Sequence, residues 1–116
     1  MEWAKSIREA IEFIENNLAE DISAEDVARH VNISPFYFQR GFTLLCGYTI
    51  AEYIRNRRLA LAAGELAGGS AKVIDIAMKY GYGSPDAFTK AFARFHGVTP
   101  VMVQKNQAMM KTFAPL

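Results

Sequence analysis

Apolar residues recur at three- and four-residue steps along nearly the whole chain, and that period predicts an all-α protein. Trp3, Ile7, Ile11, Ile14 and Leu18 form one stripe, with Glu9, Glu12 and Glu15 off it, so the first segment reads as an amphipathic helix. Ser23 followed by Asp26 approaches a capping box and opens a second helix whose apolar face is Val27, Ala28 and Val31. Asn32 then tolerates the left-handed backbone that stops a helix and turns it sharply. Ser34 and Pro35 open a third helix, the serine by accepting a bond from a free N–H and the proline by fitting the first helical position. Gly47 ends it.

Thr49 next caps a long helix, IAEYIRNRRLALAAGEL, whose 17 residues span about 25 Å before Gly68 and Gly69 stop it. A short helix carrying Ile74, Ala77 and Met78 follows, then Gly81 at a turn, and a helix opened by Ser84-Pro85 and closed by Gly97. A last short helix follows Thr99-Pro100. No Gly/Pro-rich linker divides the halves, so the long fourth helix is expected to hold them rigidly.

The pattern is written twice. SPFYFQRGFTLLCGYT (Ser34 to Thr49) and SPDAFTKAFARFHGVT (Ser84 to Thr99) agree at Ser, Pro, Phe, Phe, Gly and Thr, with Arg40 opposite Lys90. Ala28 precedes Asn32 by four residues as Ala77 precedes Gly81, and the second copy carries one extra residue, Gly83. A repeat at this spacing points to a duplicated structural unit. The expected division is a first helix-turn-helix subdomain over 1–48, a linker helix over 49–67 and a second helix-turn-helix subdomain over 68–116.

Viewed end-on at about 100° per residue, each repeated helix has two faces. Phe38, Phe42 and Leu45 fall on one side and Phe36, Gln39, Arg40 and Thr43 on the other. In the second copy the corresponding sets are Phe88, Phe92 and Phe95, and Asp86, Thr89, Lys90 and Ala93. The first set of each copy is predicted core. The second is displayed, on the second helix of a helix-turn-helix in which Ala28 or Ala77 permits the close crossing. Such a helix fits the DNA major groove, where Gln39 can pair with adenine, Arg40 with guanine, and Phe36 can meet a thymine methyl.

Charge changes the picture only when divided along the chain. The total is +1, but residues 1–26 hold eight acids against Lys5 and Arg8, a balance of −6, and the remainder stands at +7. That asymmetry suits a half that faces a polyanion. With 116 residues and 51% apolar content, the chain is long enough for one small core or two coupled ones. No stretch reaches the roughly 18 unbroken apolar residues of a membrane span, and the start has no secretory pattern. A lone cysteine forms no internal disulfide, which favours a cytoplasmic setting.

The chain resembles the DNA-binding module of the AraC/XylS transcription regulators from Ile11 to Gln104. The resemblance is carried by A-x3-N-x-S-x3-F-x-R-x-F (Ala28 to Phe42), Y-I-R-x-x-R-L (Tyr53 to Leu59), V-x-x-I-A-x-x-x-G-Y (Val73 to Tyr82), F-x-K-x-F (Phe88 to Phe92) and G-V-T-P (Gly97 to Pro100). It implies seven helices in two helix-turn-helix subdomains joined by the fourth helix, with recognition helices entering successive major grooves on one DNA face. The implied base readers are Phe36, Gln39 and Arg40 in the first half and Asp86, Ala87 and Lys90 in the second. Backbone contacts are expected from Ser34, Thr43, Arg55, Arg57, Ser84, Thr89 and Arg94. Asp86 and Ala87 depart from the longer neutral donors expected there, so the first half is expected to dominate sequence choice. The expected partner is double-stranded DNA, with RNA polymerase a further candidate, no membrane and no cofactor. A monomer suffices for two half-sites, and dimerisation would need a separate domain following the apolar end, MMKTFAPL.

Plainer roles compete at several positions. Arg58 shares a helix face with Ile54 and Leu61, so a structural ion pair is expected of it. Cys46 and His96 occupy matching places before Gly47 and Gly97, where core or cap roles outweigh thiol or metal chemistry. His30 complements the end of the second helix. Trp3 reads as core or as the floor of a partner groove, and Gly41, costly inside a helix, as a site of close packing. The competing class is a helical protein-interaction module without DNA binding. No acid–base or nucleophile constellation supports an enzyme.

Overall fold

A computed structural model describes residues 2–105 and 111–116. Among these residues it contains seven helices: α1 (Trp3–Asn16), α2 (Ala24–His30), α3 (Pro35–Cys46), α4 (Ile50–Ala67), α5 (Val73–Lys79), α6 (Pro85–His96) and α7 (Pro100–Gln104). No described helix is long and apolar enough to cross a membrane. The chain forms two compact units that part inside α4: residues 1–55 with 115–116, and residues 56–114.

Local chemistry sets the helix ends. At α2, Ser23 Oγ accepts from the Asp26 N–H and the Asp26 carboxylate accepts from the Ser23 N–H, a complete capping box. Thr49 and Glu52 make the same reciprocal pair at the start of α4. Both helix-turn-helix corners share one geometry. Asn32 (φ 59°) and Gly81 (φ 84°) are left-handed. The next N–H, of Ile33 or Tyr82, reaches back to the carbonyl of Ala28 (3.1 Å) or Ala77 (3.0 Å). This is the Schellman bond, and it closes each corner against a buried alanine.

In the first unit, Phe38 and Phe42 are fully buried with Ala10, Ile14, Val27, Ala28 and Tyr53. Rings continue from Phe38 to Phe42 (6.2 Å) and on to Tyr53 (5.9 Å), whose hydroxyl accepts from the Leu116 N–H. The second unit buries Leu59, Leu66, Ile76, Ala77, Phe88, Phe92 and Val103 together. There the Glu65 carboxylate ties α4 to α5 by accepting from the Tyr80 hydroxyl and the Lys79 ammonium.

Two expectations are corrected, the burial of Leu45 and the capping bond of Ser34. Leu45 is not core: it is 62% exposed. Its counterpart Phe95 is half-buried because Phe113 packs on its ring and the Lys111 ammonium lies over it, and nothing comparable covers Leu45 among the described residues. Ile74 and Met78 are exposed as well, and α5 buries Ile76 and Ala77. Ser34 makes no capping bond, whereas Ser84 Oγ accepts from the Ala87 N–H at 3.1 Å. The extra Gly83 lengthens the second corner, and Ser84 enters its helix in the extended conformation (φ −155°) that aims Oγ at the helix, while Ser34 enters at φ −58°.

His96 has the expected core role. Its Nδ1 accepts from the Lys111 N–H (2.9 Å), so the proton sits on Nε2, which donates to the Leu59 carbonyl (2.8 Å). Burial pushes this imidazole below the ordinary histidine range despite the Leu59 carbonyl, which favours the charged ring.

Two predictions follow from these bonds. Ser84→Ala should lower stability by about 1 kcal/mol in denaturant melts, and Ser34→Ala by no more than a few tenths. Because the unfolded chain binds a proton that folded His96 resists, stability should fall as pH drops below about 6.5. Melts compared between about pH 7 and pH 5 should show that loss flattened in His96→Gln.

Candidate nucleic-acid interface

Displayed on α3 is an edge built from residues one turn apart. Phe36 is 74% exposed and Leu44 81%, with Arg40 exposed between them. The Arg40 guanidinium lies 5.6 Å from the Phe36 ring centroid, a cation–π distance. Arg40 has no acidic partner among the described residues. Gln39 is half-buried beside it, and the Thr43 hydroxyl donates back to the Gln39 carbonyl at 2.9 Å. Thr43 therefore keeps its oxygen lone pairs, but its donor is already engaged. Ser34, free of capping duty, stands exposed at the start of the helix.

On α6, Asp86, Ala87 and Lys90 are exposed, Thr89 is half-buried and Arg94 is exposed. Asp86 lies in the first turn, where the helix dipole favours an acid, which gives this departure a structural reason. The structure thus displays each set of proposed readers on its own helix.

Arg57 is a correction. Expected at the DNA backbone, it is only 7% exposed and donates from Nη1 to the Phe113 carbonyl at 2.5 Å. Its charge is held inside the second unit by a carbonyl, and it is not available to phosphate. Arg55 is exposed. Cys46 is half-buried, and burial pushes its thiol up, away from nucleophilic use. His30 is exposed and stacks on Phe13 at 4.2 Å. No group of metal-ligating side chains occurs among the described residues.

One feature of the site was not read from the sequence, and another was read without its place on α3. Leu44 extends the displayed edge by a further turn, and a leucine on a period-consistent helix gives no sign of being uncovered. Trp3, from α1, lines the same groove as Phe36, Tyr37, Arg40 and Leu44. It stacks on Phe38 (5.8 Å, 9°) and rests on Gly41, confirming that glycine as a point of close packing.

Comparison with known proteins agrees with this fold. The family model of a helix-turn-helix domain matches residues 27–106. The transcriptional activator AarP of Providencia stuartii is 39% identical over 94 residues, covering 81% of this chain and 70% of AarP. The chain belongs to the AraC/XylS family of DNA-binding transcription regulators. An AraC-type regulator from Chromobacterium violaceum superposes with a TM-score of 0.84 at 25% identity, covering 90% of this chain and 94% of that one. The DNA-binding domain of AdpA, solved with a target DNA, gives 0.70 at 26% identity, with 89% of each chain covered.

For this AraC-type chain the burial of Arg57 has a measurable consequence. Arg57→Leu should lower stability by about 1–3 kcal/mol in denaturant melts, since it leaves a part-buried carbonyl without its charged donor.

Proposed function

We propose that this AraC-type module binds double-stranded DNA sequence-specifically, with α3 presenting Phe36, Gln39 and Arg40 to base edges and α6 presenting Asp86, Ala87 and Lys90. The observation that carries this reading is the exposed Phe36–Arg40 edge, set on a helix that follows a left-handed corner and repeated in position, though not in chemistry, on α6. Arg40 can pair in bidentate fashion with guanine, Gln39 with adenine, and Phe36 can pack on a thymine methyl. Ser34, Ser84, Thr89, Arg55 and Arg94 supply backbone contacts, and Thr43 does so by turning its hydroxyl from the Gln39 carbonyl to a phosphate; Arg57 is withdrawn from that set. The two helix-turn-helix halves, 1–48 and 68–116, read adjacent half-sites without requiring a dimer, and the first dominates base choice. The module acts in the cytoplasm, where chromosomal DNA is available.

Selection of bound sequences from random duplex DNA tests this directly. Two enriched blocks about one helical turn apart are expected. Arg40→Ala should cost about 1–3 kcal/mol of specific binding and relax preference within one block, whereas Lys90→Ala should cost less and leave preference intact. Affinity should fall steeply with salt. Equal losses in both variants with unchanged preference would remove α3 as the principal reader, and salt-insensitive binding would favour a protein-interaction module.

A further inference from the structure

Gly41 sits in the middle of the reading helix, immediately after Arg40, where glycine weakens a helix. The structure shows what its missing side chain makes room for. A Cβ built there would fall 2.7 Å from Trp3 Cζ2 and closer still to Cζ3 and Cη2. Real side chains do not approach so closely, so the six-membered ring of the indole occupies the place of a side chain on α3. Trp3 is itself held: it lies nearly parallel to the buried Phe38 ring at 5.8 Å and against Tyr37 at 5.4 Å. It therefore grips α3 at Tyr37, Phe38 and Gly41, a span that brackets Gln39 and Arg40.

We infer that Trp3, seated on Gly41, is a positioning residue for sequence readout: it fixes the rotation of α3 about its own axis and hence the aim of Phe36, Gln39 and Arg40. The inference rests on the proposed DNA-reading role of α3. Base contacts tolerate errors of only about 0.5 Å or 10–20°, so a small roll of the helix redirects a bidentate pair. The second copy has no such device. Ala91 stands where Gly41 stands in the first, and Trp3 is the only tryptophan in the chain.

That single tryptophan also reports on the contact. In the full chain, Gly41→Ala should displace the indole and shift its emission to the red while far-UV helicity is retained. The ratio of specific to random-duplex affinity should fall about tenfold, the worth of one good base contact, with preference relaxed in the first block and unchanged in the second. Trp3→Ala should do the same to the ratio, and the double variant should be no worse than Trp3→Ala alone. Gly64→Ala is the control: that glycine is exposed on α4 with no atom near its missing Cβ, and the ratio should not move. Should Gly41→Ala fail to fold, Trp3→Phe carries the test, since phenylalanine keeps a ring on Phe38 but lacks the atoms that reach Gly41. An unchanged ratio, or equal losses for specific and random duplex, overturns the inference and leaves the proposed function standing. If the unaltered chain prefers no duplex at all, the proposed function fails and the inference with it.

Discussion

The left-handed residue at each helix-turn-helix corner is the constraint on which the display of α3 and α6 depends. A chain leaving a helix must satisfy its last carbonyls and change direction within two or three residues, and one positive φ does both. At Asn32 and Gly81 the carbonyl of the buried alanine four residues earlier takes the returning N–H. Alanine there serves twice: its carbonyl closes the corner, and its small side chain lets the next helix cross closely. A larger residue would keep the bond but push the second helix outward, and the displayed edge would move with it.

From that shared corner the two copies diverge by a single residue. The first places its N-cap serine two positions after Asn32, the second three after Gly81, and the added Gly83 gives Ser84 the extended backbone that a cap needs. Ser34 lacks that geometry and leaves its hydroxyl unspent. The one-residue insertion thus gives α6 a helix-stabilising bond that α3 lacks, while the Ser34 hydroxyl keeps its lone pairs as well as its donor uncommitted at the head of α3. On the proposed reading, a free hydroxyl at a helix N-terminus is an asset beside a phosphate, where backbone N–H groups already point outward.

How much of this was legible depended on how local the physics was. Capping at Ser23, the positive φ at Asn32 and the stops at Gly47 and Gly97 were readable because each is decided within four or five residues. The helical wheel placed Leu45 with Phe38 and Phe42, but a wheel gives direction and not cover. What covers the equivalent Phe95 lies at Phe113 and Lys111, far along the chain. Arg57 was misread for the same reason: its partner carbonyl is 56 residues away, and nothing near Arg57 separates it from Arg55. Gly41 was a half-success. Its cost in a helix signalled a close contact, but only the structure names Trp3 as the neighbour.

The chemistry of the two displayed edges argues for a division of labour beyond their shared scaffold. An arginine over a ring is partly ordered before it meets a ligand, and its planar fork suits the paired acceptors of a guanine edge. Arg40 over Phe36 has that form, with exposed apolar surface at Phe36 and Leu44 on either side. Lys90 offers instead a compact charge on a flexible stem, which attracts phosphate from many directions but discriminates poorly among bases. Asp86 beside it repels phosphate and is favoured where it stands by the dipole of its own helix. Stability and recognition therefore ask for different residues at the same helical position. In α6 the helix has been favoured, and in α3 the uncapped serine and the interior glycine show the helix yielding to what it displays.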